Sequence, residues 1–310
     1  NRMAASNKAK MDADTKTQVR EFYDSVGWKR VGDGLYQNAK YEDLRPVSRE
    51  YIHRCHMRVA RHLPESGDLF LDAGSGPIQY PEYLEYSKGF RRRVCLDISI
   101  LALKEGRERI GDHGLFVVGD IANLPFVSES FDGVLSMHAI HHLEEKEHQK
   151  AFSELNRVSG EKSRMVVVSS WGHRSIFMRL MRIPIGLMTS FIHLYRRFSG
   201  MEINPTANIE NPKADASTLI KSPGTFTQQH GYKWVVTELS FLPGLDVVVW
   251  RSVSTSFLRS LIHRRLYGEF ILDLLYRLEE FAPHFIGRVG QYTMILSEKN
   301  DSHHKRKGEK

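Results

Sequence analysis

LFLDAGSGP, residues 69–77, joins a short apolar run to an acid and then to two glycines one residue apart. Glycine accepts the positive φ of a tight turn and lets backbone amides approach a ligand closely, so the stretch predicts a buried strand running into a ligand-contacting bend. Taken alone, it fits an ordinary strand-to-helix turn equally well. Its surroundings add weight. Short apolar runs recur at residues 94–96, 115–118, 133–137 and 165–169, separated by polar segments of helix length. Five such strands, each followed by a crossover helix, predict a parallel α/β sheet with helices on both faces.

Working outward from the bend, Asp97 closes the second run 21 residues after Gly76, and Asp120 follows the third. An acid at the end of the second strand stands near the spacing at which carboxylates accept hydrogen bonds from ribose hydroxyls. Asp72, Asp97 and Asp120 would then share the carboxyl edge of the sheet and outline a nucleoside site. Blander roles are available to two of them: Asp97 as a cap of the following helix, and Asp120 as a turn residue. A dinucleotide site is disfavoured, because Gln79 occupies the place of the third glycine that lets the helix pack under a pyrophosphate. Three acids also suit a cationic ligand better than a diphosphate.

Four motifs, LDAGSGP (71–77), CLDIS (95–99), GDIANLPF (119–126) and SFDGVLSMHAIHHL (130–143), stand in an order and spacing that resemble the class I S-adenosylmethionine-dependent methyltransferases, in particular their small-molecule "type 11" branch. The resemblance covers residues 69–170 well and the terminal GQYTMILSEK more loosely. It implies a Rossmann-like, doubly wound, mostly parallel seven-stranded sheet whose last strand is antiparallel. It also implies S-adenosylmethionine as cofactor and S-adenosylhomocysteine as product. Carried over residue by residue, it places Asp72, Ala73, Gly74 and Gly76 at the methionyl portion and Asp97 at the ribose. Ile98 would lie on one face of adenine, Asp120 and Ile121 at its edge, and Met137 with His138 near the amino acid end. Many relatives have a Pro-Gly-Gly turn before the fifth strand, where this chain has Ser159, Gly160, Glu161, Lys162 and Ser163.

Methyl transfer from a sulfonium needs in-line placement and exclusion of water more than a covalent nucleophile. A phenol, enol or hydroxyl acceptor would gain from a base, and His138, His141 and His142 cluster after the fourth strand, His142 and His138 being the better placed. The same imidazoles could simply pack or cap a helix, and a carboxylic acid or thiol acceptor needs no base. An apolar, aromatic or lipid-like small molecule methylated at oxygen is the expected acceptor.

Five regions are expected: an amino-terminal helical arm (1–45), the cofactor-binding core (46–170), a helical insertion over the acceptor (171–225), the rest of the core with a smaller helical insertion (226–298, inserted 254–285), and a charged tail (299–310). In the arm, Phe22, Tyr23, Trp28, Tyr36 and Tyr41 would close over the cofactor or merely anchor the arm. In the insertion, Phe177, Leu180, Met181, Met188, Phe191, Ile192, Tyr195 and Phe198 recur at helical spacing among arginines. Three readings of residues 174–198 stand side by side: a lid on the core, a membrane-surface contact and an oligomer interface.

Composition bounds the rest. The chain has 310 residues, 41% hydrophobic and 26% charged, with a net charge of +7. That is ordinary globular usage and excludes a collagenous or wholly disordered chain. Seven basic residues and no acid lie between Lys162 and Met201. Basic excess can signal nucleic acid, but here it is interleaved with aliphatics, and residues 136–142 lack the Asp/Asn-Pro-Pro-aromatic pattern of base-amine methylation; no nucleic acid partner is expected. A non-catalytic module binding the nucleoside and a nicotinamide enzyme are the other rivals. Cys55 and Cys95 are too few for a disulfide framework or a four-cysteine zinc site, so no metal is expected, and both suit a reducing cytoplasm. Residues 1–18 lack the apolar core of a signal peptide, so export by that route is not expected.

Overall fold

The structure is a computed structural model that describes residues 15–28, 30–32, 35–36, 42–198 and 225–299. Its centre is a seven-stranded sheet: β1 (Gly67–Ala73), β2 (Phe90–Asp97), β3 (Gly114–Val118), β4 (Phe131–Met137), β5 (Ser159–Ser170), β6 (Asp246–Arg251) and β7 (Tyr292–Glu298). The spatial order is 3-2-1-4-5-7-6. All neighbours are parallel except β7, which runs antiparallel to both β5 and β6. The order reverses between β1 and β4, and in open α/β sheets a ligand crevice forms at the carboxyl ends beside such a reversal.

The central strands are apolar on both faces because both are covered. Leu71, Val134 and Val167 point to one side, into a core completed by Ala151, Phe152, Leu155 and Val158 of α3 (Glu145–Val158). Their chain neighbours Phe70, Leu135 and Val166 point to the other, against Val59 of α1 (Pro46–Ala60) and Leu63. Between these helices, α2 (Ile100–Ile110) crosses from β2 to β3, capped by the Ser99 hydroxyl, which accepts from the Ala102 amide at 3.1 Å.

Several local expectations change. Residues 226–239 read as one helix, but only Tyr232–Glu238 is helical; Gln228 N donates to the His141 carbonyl at 2.7 Å, which holds the preceding stretch extended along the core. The smaller insertion forms three helices, Thr255–Leu261, Gly268–Phe281 and Pro283–Val289, broken at Tyr267, whose φ is +54°, and at Pro283. Ser159 to Ser163 form no separate turn: Ser159 pairs with Phe131 and the segment extends β5 backwards to the end of α3. The tail beyond Lys299 lies outside the described residues.

Candidate active site

At the carboxyl end of β1 the backbone doubles back. The amides of Gly74 and Ser75 both donate to the Leu96 carbonyl, at 2.7 and 3.1 Å. Gly74 and Gly76 have φ of +77° and +53°. A Cβ on Gly74 would overlap the methyl group of Ala139, so space as well as torsion requires that glycine, whereas at Gly76, where a Cβ would press on the Trp28 indole, the requirement is mainly torsional.

Asp97 faces this bend from β2. Its Oδ2 accepts the Gly76 amide and its Oδ1 the Ser99 amide, each at 2.9 Å. The capping role falls to Ser99, so Asp97 keeps lone pairs for another partner. Burial pushes its pKa up to about 6, against the opposing pull of those two amides.

A cavity of about 540 Å³ opens along this edge. Asp72, Gly74, Gly76, Asp97, Ile98, Asp120, Ile121, Met137 and His138 all line it, as do His141 and His142. Ala73 is fully buried behind the wall. Two acids are already engaged. Asp72 forms a buried ion pair with Arg93. Asp120 accepts from Lys16 Nζ at 2.7 Å, from Asn123 Nδ2 at 2.8 Å and from the Ala122 amide at 2.9 Å. Burial works against its ionisation, yet these donors hold its carboxyl below the usual range.

The amino-terminal arm supplies one wall. Tyr23 stacks on Trp28 with ring centroids 5.0 Å apart, and Lys16, Val19, Phe22, Tyr23 and Trp28 line the cavity. The Tyr36 side chain and Tyr41 lie outside the described residues. The Tyr23 hydroxyl lies 2.7 Å from His142 Nε2, while His142 Nδ1 lies 2.8 Å from the Phe226 carbonyl oxygen. A carbonyl can only accept, so Nδ1 carries the proton and Nε2 accepts from Tyr23. Burial lowers the His142 pKa to about 4. His138 adopts a left-handed φ of +54°, its ring packs edge-on against both Trp250 and Tyr292, and burial takes it down to about 3. His141 is also pushed well down by burial. All three imidazoles are neutral at neutral pH.

The opposite wall was invisible to pattern reading. Tyr80 and Tyr83 line the cavity together with Trp250, Arg251 and Tyr292. The β6–β7 register shifts between Val249 and Arg251. Such a bulge turns adjacent residues toward one side, where alternation would send them to opposite faces. Arg251 is buried, ion-paired with Glu42, and lies 4.6 Å over the Tyr292 ring. Burial would raise Glu42, but Arg251 and His56 hold it down at about 2. Among the described residues, helices Ile176–Leu180 and Arg182–Phe198 contribute none to the lining, whereas Thr225, Thr227 and Gln229 do contribute. On this side the described lining comes from β6, β7 and residues 225–229.

The donor set fits S-adenosylmethionine. A half-buried carboxylate with unshared lone pairs suits two ribose hydroxyls, and the bend beside it has no room for a Cβ at Gly74.

Comparison with known proteins agrees. The model of a methyltransferase domain family matches residues 71–167. An uncharacterised methyltransferase of Geobacillus sp. (strain WCH70) is 28% identical over 137 residues, 43% of this chain and 60% of that protein; the chain thus spans well under two thirds of this relative. Among solved structures, a geranyl diphosphate methyltransferase in complex with GPP and sinefungin shares 15% identity and a TM-score of 0.51, covering 92% of this chain and 99% of its own. Haemonchus contortus phosphoethanolamine N-methyltransferase 1 shares 12% identity and a TM-score of 0.51, covering 93% of this chain and 49% of its own. Residues 71–167 thus carry a methyltransferase domain.

Proposed function

We propose that this chain moves the methyl group of S-adenosylmethionine to a small apolar or aromatic acceptor, at oxygen, by in-line displacement. The observation that carries the reading is the pairing of Asp97 and the Gly74–Gly76 bend with an aromatic chamber in one continuous cavity. The bound cofactor would supply an electrophilic methyl on a positively charged sulfur and a neutral leaving group, S-adenosylhomocysteine. Everything else falls to the chain's own residues.

In this reading Asp97 accepts the ribose hydroxyls, Ile98 lies on one face of adenine, and Ile121 with the remaining lone pairs of Asp120 meets its edge. Gly74 and Gly76 admit the methionyl portion, with Met137 and His138 beyond it. Asp72 acts through its ion pair with Arg93, which fixes the strand end from which the bend departs. Tyr23 and Trp28 close the cofactor side and exclude water.

The histidines are reassigned by their surroundings. A base works best with a pKa near the operating pH, and burial leaves His138 and His142 far below it. His142 instead fixes the Tyr23 hydroxyl, which donates to its Nε2. An acceptor that arrives ionised, such as a carboxylate, requires only positioning. One that must lose a proton would release it to solvent once the methyl group has moved, with the Tyr23 hydroxyl, held by His142, lining the cavity beside it. Tyr23→Phe keeps the stack on Trp28 and removes only that hydroxyl. With a protonated acceptor it is expected to lower kcat by roughly tenfold to a hundredfold while leaving cofactor affinity within about twofold. An unchanged kcat would remove Tyr23 from the chemistry.

Cofactor affinity should depend on pH. Hydrogen bonds donated by ribose favour the ionised carboxylate, so binding releases the proton that Asp97 holds below its pKa of about 6. Affinity is expected to rise about tenfold from pH 5 to pH 7 and then level off, because the ionised fraction rises by that factor. Calorimetry at several pH values, in buffers of different ionisation enthalpy, measures both the rise and the proton released. A flat profile would take Asp97 out of the contact. The function itself is tested by titration with S-adenosylmethionine and S-adenosylhomocysteine, followed by a screen of phenols, carboxylic acids and amines for methyl transfer. Absence of heat for both cofactor forms would reject it. Transfer to amines alone would reject the oxygen assignment.

A further inference from the structure

The insertion helices remain unused by the cavity, and they present an unusual surface. Ile176, Leu180, Ile183, Leu187, Phe191 and Leu194 are 53%, 67%, 73%, 69%, 62% and 55% exposed. Their spacing of three and four residues puts them on one face of a helix. Helices Ile176–Leu180 and Arg182–Phe198 join with little interruption, since the Met181 amide donates to the Phe177 carbonyl and the Ile185 amide to the Met181 carbonyl, each at 3.0 Å. At 1.5 Å per residue the stripe is roughly 27 Å long. The inner side is already anchored: Thr189 and Ser260 share a 2.9 Å hydrogen bond, and the Phe177 and Phe257 rings lie 6.2 Å apart. The outer stripe is apolar, and each of its six side chains is more than half exposed. Scattered exposed aliphatics are normal, but a continuous ridge marks a contact surface.

We propose that this ridge docks the protein on an anionic membrane surface. Charge selects that occupant. Arg174, Arg179 and Arg182 are exposed beside the stripe, and no Asp or Glu occurs between Lys162 and Met201. Apolar side chains would sink to the acyl boundary while the guanidinium groups meet lipid phosphates. The other exposed apolar helix, Gly268–Phe281, lacks this character: Phe270, Leu274, Leu278 and Phe281 are interspersed with Glu269, Asp273 and Glu280, which an anionic surface would repel. Among the described residues no helix is long and apolar enough to cross a membrane, so the stripe lies in the interface plane.

The test is cosedimentation of the full chain with phosphatidylcholine vesicles, with and without about 30% phosphatidylserine, a composition chosen to give a negative surface potential. Tighter binding to the phosphatidylserine vesicles is expected, weakened about tenfold or more by Arg179→Gln with Arg182→Gln. Leu180→Gln, Leu187→Gln and Phe191→Gln together should abolish binding to either vesicle. These exposed positions lie outside the cavity, so S-adenosylhomocysteine affinity should not change; a shift there would expose a folding defect, and the single variant Leu187→Gln, expected to bind phosphatidylserine vesicles more weakly, then carries the test. Equal binding to both vesicles, or binding that resists all of these substitutions, overturns the proposal. So does concentration-dependent self-association lost in the triple variant without vesicle binding, which would make the ridge an interface between copies of this chain.

Discussion

Asp97→Ala is expected to abolish binding of S-adenosylmethionine at accessible concentrations and, with it, all methyl transfer. Hydrogen bonds to a charged acceptor contribute about 1.5 to 3 kcal/mol each, so two ribose hydroxyls account for roughly 3 to 6 kcal/mol, or two to four orders of magnitude in affinity. Alanine does further damage, because the amides of Gly76 and Ser99 both donate to this carboxylate and would lose their acceptor. Asp97→Asn separates the two effects: it preserves the shape and one acceptor oxygen while removing the charge. Its stability should move the other way. A carboxyl whose pKa rises on folding, here to about 6, binds more protons folded than unfolded between its unfolded value near 3.9 and that pH. Its ionisation therefore opposes folding, and stability falls as pH rises through that window. Without cofactor at pH 7, Asp97→Asn is expected to melt no lower than the native chain while its affinity collapses, the signature of a residue kept for binding at a cost to the fold. Calorimetric titration and thermal melts decide. Native affinity in Asp97→Asn would sink the site as drawn, and a large fall in melting temperature would recast Asp97 as a structural residue.

The parts of this site that were legible in the sequence are those whose signals are local. Apolar runs such as LFLDA and CLD reveal strands because both sheet faces are covered, and the glycines betray a bend because only they fit its torsions. Asp97 was legible through its distance from Gly76, since β1, α-helical connection and β2 have nearly fixed lengths. What escaped depends on contacts between distant positions. Lys16 reaches Asp120 and Glu147, each more than 100 residues away, and no periodicity announces such a pair. Trp250 and Arg251 enter the chamber through a bulge, a departure from alternation that pattern reading assumes absent. The insertion shows the converse. Its helical period was plain, but which face of Arg182–Phe198 meets the core depends on Thr189 and Ser260, and the face left over is itself apolar.

The run FRRRVCLD illustrates the same limit, and it leads to the second large effect. It holds three consecutive arginines, of which Arg93 is 1% exposed and forms its ion pair with Asp72 in the middle of the sheet, with its guanidinium 5.6 Å from the Phe70 ring. Taking two charges out of water costs about as much as their attraction returns, so the pair is a weak source of stability while intact. Breaking it is another matter. Arg93→Met leaves the Asp72 carboxylate, 4% exposed, without its counter-charge, and the expected loss is about 3 to 5 kcal/mol. At roughly 2 to 4 °C per kcal/mol for chains above 150 residues, the melting temperature should fall by on the order of 6 to 20 °C. Asp72→Asn alone should cost a comparable amount by stranding the guanidinium. The double variant, Arg93→Met with Asp72→Asn, buries no charge and is expected to recover most of the loss, a coupling of roughly 2 kcal/mol or more in a double-mutant cycle. Because Asp72 leads into Gly74 through a single residue, the single variants should also weaken cofactor binding, and the double variant should restore it in step with stability. Additive losses across the cycle would show that the two groups do not act as a pair. Restored stability with lost cofactor affinity would mean that the Asp72 carboxylate itself reaches the ligand, as the family resemblance implies, and does more than hold the strand end in place.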